Sequence, residues 1–233
     1  MLTEFGPEIW IADGPVVIGG AGFHYPTRMA LMRLTDGTLL IWSPTALTAE
    51  LREAVDGLGR VGFILPPNSL HHTFLGEWQE AFPEAVVLAP PGLREKRTDI
   101  RFDGDIADGP HEEWGDEIEV VVVHGNAITE EAVFFHLRSG TVLFADLIQH
   151  LPRRWYRGWR ALVARLDLMS GDEAAVPRKF RVAFWDKAAA RAAVARILEW
   201  PSQAVLIAHG APIRSDAAAF LRRAFGWLLG RGT

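Results

Sequence analysis

Cysteine is absent from the 233-residue sequence. Its absence excludes disulfides, thiolate zinc sites and a cysteine nucleophile, and it fits a reducing compartment. Long basic runs are also missing, so nothing is set up to neutralise a phosphate backbone and no nucleic-acid partner is expected. The nearest approach is Arg153, Arg154, Arg157 and Arg160, which a solvated helix face explains. No apolar run approaches the roughly 18 residues that a membrane-spanning helix needs. The start, MLTEFGPEIWIADG, carries Glu4 and Glu8 and lacks the apolar centre of a signal peptide. These absences predict a cytoplasmic protein with neither a nucleic-acid nor a membrane partner. There is no G-x-S-x-G, no Walker loop and no G-x-G-x-x-G; the GGAGF run at Gly19 reads as a tight turn.

What is present is ordinary for a globular chain. Hydrophobic residues make up 49%, charged residues 23%, and the net charge of −5 leaves ample material for a core. No fixed-period repeat, low-complexity tract or linker interrupts the chain, so one domain over residues 1–233 is expected.

IWIADG, PVVIGG, RMALMRLTDG and TLLIWSP read as strands, with a hairpin turn at Asp36-Gly37. TAELREAVDGLG is an amphipathic helix capped by Thr48. RVGFILPP is a buried strand, followed by a helix over roughly Leu70 to Ala81. EAVVLAPP, DEIEVVVVHG, EEAVFFHLRSG, TVLFADLI and AVLIAHG are further strands. GLREKR, DKAAARAAVARILEW and DAAAFLRRAFGWLLG are helices. The segment Leu151 to Lys187 mixes arginine and tryptophan with Gly158, Gly171 and Pro177 and gives no clear period. The whole is a mixed α/β pattern.

Polar chemistry collects where apolar strands end. GFILPPNSL runs into His71 and His72, TVLFAD ends at Asp146, AVLIAHG at His209 and EVVVVHG at His124. Loops at the carboxyl ends of strands project groups from several strands into one crevice. Imidazole and carboxylate together suit zinc, iron or manganese. A lone strand-end aspartate is more often a turn former or a cap, and a lone histidine often donates to a carbonyl. Four such coincidences favour a site. His136, inside a strand, and His111, in an acidic loop, read as structural and solvated respectively.

The order of these elements resembles the metallo-β-lactamase superfamily, an αββα four-layer sandwich with a metal site at one edge of its two sheets. More closely, PTRMALMRLTDGTLLIWSPTAL, ILPPNSLHHTFLGEWQEAFPEAVVLAPPGLREK, VFFHLRSGTVLFADL and AHGAPI resemble a bacterial family of that fold catalogued only as a domain of unknown function. The superfamily loop His-x-His-x-Asp-His falls on Pro67, Asn68, Ser69, Leu70, His71 and His72, so only the last histidine keeps its identity. Ser43-Pro44 stands where the superfamily often has an aspartate. Two of the three ligands of one metal are thereby lost. The resemblance implies that the other metal would be held by His71, His72, Asp146 and His209. His124, Asn68 and Ser69 remain as a possible additional site, with Glu131 and Lys96 as outer groups.

Two functions follow. The first is a mononuclear hydrolase using one divalent metal, zinc or iron, on an unidentified small-molecule substrate. The second is a non-catalytic, degenerate binding or scaffolding module. Its positive argument is the tryptophan-rich segment with Trp155, Tyr156 and Trp159, which is a partner surface if exposed and sandwich-edge packing if buried.

Overall fold

The computed structural model describes residues 1–109 and 111–230. Apolar runs buried on both faces build two sheets. The first contains β1 (Thr3–Gly6), β2 (Ile9–Ile18), β3 (His24–Arg33), β4 (Thr38–Trp42), β5 (Arg60–Leu65), β6 (Val86–Ala89) and β7 (Gly104–Asp105), ordered β1-β2-β3-β4-β5-β6-β7. The second contains β8 (Ile118–Val123), β9 (Glu131–His136), β10 (Thr141–Phe144) and β11 (Ala204–Ile207), ordered β11-β10-β9-β8. β1 to β4 pair antiparallel, while β4 to β7 pair parallel, as do β10 and β11.

Between the sheets lies an apolar layer that includes Met32, Leu40, Trp42, Leu65, Val122, Phe134, Leu143 and Leu206. The outer face of the first sheet packs Leu31, Ile41 and Ile64 against α1 (Ala49–Asp56), α2 (Leu75–Ala81) and α3 (Leu93–Lys96) through Leu51, Val55, Trp78 and Leu93. The outer face of the second packs Phe135, Phe144 and Val205 against α5 (Arg178–Ala183), α6 (Lys187–Ile197) and α7 (Ala217–Leu229). These layers form the αββα sandwich. A satellite cluster of Phe23, Leu151, Tyr156, Ala164 and Met169 sits below α4 (Gly158–Leu166).

Local chemistry accounts for the departures from the sequence expectation. IWIADG and PVVIGG form one bulged strand, because Pro15 interrupts pairing without ending it. The helix expected from Leu70 begins only at Leu75, since Asn68 Oδ1 accepts from the backbone N–H groups of Leu70 (2.8 Å) and His71 (3.2 Å) and holds 68–74 as a turn. β1 and β7 are short edge strands without a readable period. The unassigned segment holds α4 and α5. Tyr156 is buried and Trp155 half-buried, both donating to the His24 carbonyl, whereas Trp159 is exposed. Among the described residues no helix is long and apolar enough to cross a membrane.

The carboxyl ends of four parallel-paired strands, β4, β5, β10 and β11, open on the same edge of the sandwich. Ser43, His71, Asp146 and His209 follow them in turn.

Candidate metal centre

His71, Asp146 and His209 meet at that edge, each offering a ligand atom within 4.8 Å of the others. His71 Nε2 lies 3.2 Å from Asp146 Oδ2, and His209 Nε2 lies 3.4 Å from Asp146 Oδ1. The hydrogen-bond network assigns both tautomers. Ser43 Oγ spends its one hydrogen on the Arg28 carbonyl (3.1 Å), so it can only accept from His71 Nδ1 (2.8 Å). His209 Nδ1 faces the Pro26 carbonyl at 2.7 Å and must donate. In the neutral rings both Nε2 atoms therefore carry lone pairs. Two lone pairs and a carboxylate then converge, an arrangement relieved either by a proton on Nε2, which hydrogen-bonds Asp146, or by a metal cation.

A buried frame holds this geometry. Asn68 Nδ2 donates to Asp146 Oδ2 (2.9 Å) and Glu131 Oε2 (3.0 Å), and Gln149 Nε2 to Asp146 Oδ1 (3.3 Å). Glu131 accepts the backbone N–H groups of Ala145 (2.9 Å), Asp146 (2.7 Å) and Leu147 (3.2 Å). Arg28 donates to the carbonyls of Ile207 (3.0 Å) and Gly210, fixing the turn after β11. Gly210 has φ +133°, and a Cβ there would collide with the His150 carbonyl oxygen. Burial lowers the pKa of His71. Burial alone would raise Asp146, but its hydrogen bond to His209 and the nearby His71 hold it well below the usual carboxylate range. Burial, with the adjacent Asp146 charge, pushes Glu131 up to about 7.

Not every expected residue joins. His72 lies outside the cluster: its Nδ1 accepts from Arg97 Nη1 at 3.0 Å, which leaves the hydrogen on Nε2. A ring so occupied has no free lone pair for a metal. Burial, then Lys96 and Arg97, bring its pKa down to about 4. His124 is exposed and pairs with Glu130 at 2.7 Å. Ser69 Oγ bonds Thr129 Oγ1 (3.1 Å), and Asn68 is a buried strut. Among the described residues, the possible additional site therefore has no converging ligand set. Ser43, Arg28, Gln149 and Arg97 were not identified from sequence. Ser43 alone carried a signal, through its place in the resemblance.

A cleft of ≈ 630 Å³ opens over the three ligands. One wall comprises Ile18, Phe23, Tyr25, Val163, Met169 and Phe180, and the other Leu70, His72, Thr73, Phe74 and Lys96. Lys96 Nζ donates to the Ser69 carbonyl (2.7 Å) and makes no ion pair among the described residues.

Two predictions follow from these contacts. Ser43→Ala removes the acceptor that orients His71 and lowers metal affinity about 10- to 100-fold. Ser43→Gly, which relieves the φ of +52°, loses as much affinity and less stability. Affinity by chelator competition and unfolding midpoints check both. The second prediction concerns pH. His71, His72 and His136 have depressed pKa values, burial being the first cause in each, with His136 also at about 4. The stabilisation from His72 and His136 is fully present above the unfolded value of about 6.5 and is lost as pH falls toward 4, and His71 acts in the same direction. Glu131 opposes this between about 4.5 and 7, since the fold retains its proton there. Three sites outweigh one, so the urea midpoint of the metal-free protein falls from pH 6.5 to pH 5.

In fold the chain is similar to the metallo-β-lactamase of Pontibacter korlensis, at 13% identity over 99% of both chains with a TM-score of 0.64. It is likewise similar to the FIM-1 metallo-β-lactamase of Pseudomonas aeruginosa in its mono-zinc form, at 10% identity, 99% and 96% coverage and TM-score 0.64. A third similarity is to the metal-soaked Flv1 flavodiiron core of Synechocystis sp. PCC6803, at 12% identity and TM-score 0.64, covering 98% of this chain and 60% of that one. These likenesses establish a metallo-β-lactamase-like αββα fold. No curated protein matches the sequence. The family model described as Domain of unknown function (DUF4336) matches residues 7–157, and the chain belongs to that family.

Proposed function

We propose that the protein is a mononuclear metal-dependent hydrolase, with one zinc or iron ion on His71 Nε2, His209 Nε2 and Asp146. The supporting observation is the convergence of two outward-facing imidazole lone pairs and one carboxylate, with both tautomers fixed from behind by Ser43 and the Pro26 carbonyl. Two imidazoles and a carboxylate suit either metal, and three protein ligands leave a position for water. A metal held there would supply the chemistry of a lowered pKa for bound water, toward about 7, and of a polarised carbonyl or phosphoryl oxygen.

The chain's own groups supply the rest. Asn68 and Gln149 keep the Asp146 carboxylate aimed into the cleft. His72, whose Nδ1 is occupied by Arg97, offers Nε2–H as a donor toward charge developing on a substrate oxygen. The Lys96 ammonium on the same wall attracts an anionic substrate group, and the apolar wall opposite displaces water.

The test is metal analysis followed by assays on nitrophenyl esters and phosphodiesters. The expected result is about one equivalent of metal and turnover that disappears with the metal. Bound metal with no turnover on either class would reduce the protein to a metal-binding module.

A further inference from the structure

α4 faces the wrong way for a helix of a soluble sandwich. Its apolar stripe, Trp159, Leu162, Val163 and Leu166, follows the i, i+3, i+4, i+7 spacing with which helices cover a core. Yet these residues are 55, 61, 40 and 56% exposed, and Ala164 is the helix's one buried residue. On the same wall of the cleft, Ile18 at the β2–β3 hairpin tip is 81% exposed. The two elements are tied together: Arg160 donates to the Ala21 carbonyl from Nε (3.1 Å) and Nη2 (2.9 Å), and Phe23 meets Trp159 edge-on at 5.7 Å between ring centres. Ile18 and Val163 both line the cleft.

The charge around this stripe is opposite to that of the molecule. Residues 151–185 hold eight of the 24 basic residues and three of the 29 acidic ones, so the segment is +5 and the rest of the chain −10. Among the described residues only Arg153 and Lys179 of these eight form ion pairs, with Asp172 and Asp167. Arg154, Arg157, Arg165 and Arg178 are exposed. A tryptophan-bearing apolar stripe flanked by free arginines is the composition of helices that lie in the lipid interface, and anionic headgroups attract basic residues held at that level. A symmetric second copy fits poorly, because an isologous contact would press one +5 face against another.

We propose that this face docks on an anionic lipid bilayer, with the α4 stripe and Ile18 at the headgroup boundary, the arginines on lipid phosphates and the cleft opening toward the membrane. The surface is independent of the metal reading, and its test needs no metal. The full chain is sedimented with vesicles of phosphatidylcholine alone and of phosphatidylcholine with about 30% phosphatidylglycerol. Binding to the anionic vesicles is expected to be at least about tenfold tighter and to weaken steeply between about 0.1 and 0.5 M salt. Leu162→Asp and Trp159→Ser abolish binding while keeping native circular dichroism. Arg154→Ala with Arg157→Ala removes the preference for anionic lipid and serves if the first variants misfold. Absence of binding to either vesicle overturns the proposal, as does equal binding by wild type and Leu162→Asp. A lipid-free dimer dissolved by Leu162→Asp, or capture of an acidic protein, without vesicle binding, also overturns it.

Discussion

Replacing His209 by alanine lowers zinc affinity at least about a hundredfold, whereas replacing His72 by alanine changes it less than about threefold. The first number reflects the loss of one ligand from a centre held by few, each worth several kcal/mol of binding free energy. The second follows from the Arg97 guanidinium, which donates to His72 Nδ1 at 3.0 Å and to the His72 carbonyl at 2.6 Å. Breaking the side-chain bond to recruit His72 would leave the partly buried Arg97 short of an acceptor. Competition against a chromophoric chelator measures both variants. Equal losses would show that the loop rearranges around metal and that the superfamily assignment of His72 holds. His72→Ala should instead lower turnover at near-constant metal content, because it removes a donor into the cleft.

Glu131→Ala destabilises the protein by about 3–5 kcal/mol, the largest loss expected of any polar substitution away from the ligands. Its carboxylate accepts three successive backbone N–H groups at residues 145–147 and the Asn68 amide, all buried. Alanine strands four donors where water does not reach. Glu131→Gln restores one acceptor oxygen but turns an amide hydrogen toward these donors, so an intermediate loss is expected. Urea unfolding separates the two. The Asp146 turn depends on the same carboxylate, so metal affinity falls in parallel.

The layers and most strands were legible because their apolar periods are long and their turns carry Gly, Pro and Asp-Gly signals. The site was legible only as strand ends: His71, Asp146 and His209 follow apolar runs that the parallel strands bring to one edge. His72 was not separable from His71 in sequence, since neighbouring residues on a turn point apart and only Arg97, 25 positions away, shows which one is occupied. Ser43 and Arg28 act through a carbonyl and a tautomer, which leave no residue pattern. Glu131 looks like any strand-initiating glutamate until β9 places it under the Asp146 turn. Trp159 stands out in the sequence, but whether its segment is a surface or edge packing is decided only by the fold, which seats α4 on Ala164 and leaves the stripe exposed.

Anomalous diffraction at the zinc edge, on crystals grown with zinc, tests the central claim most directly. One peak is predicted, about 2.0–2.2 Å from His71 Nε2, His209 Nε2 and an Asp146 oxygen, with His72 still bonded to Arg97. A peak bound to His72 or His124 instead, or no peak at the strand ends, would contradict it.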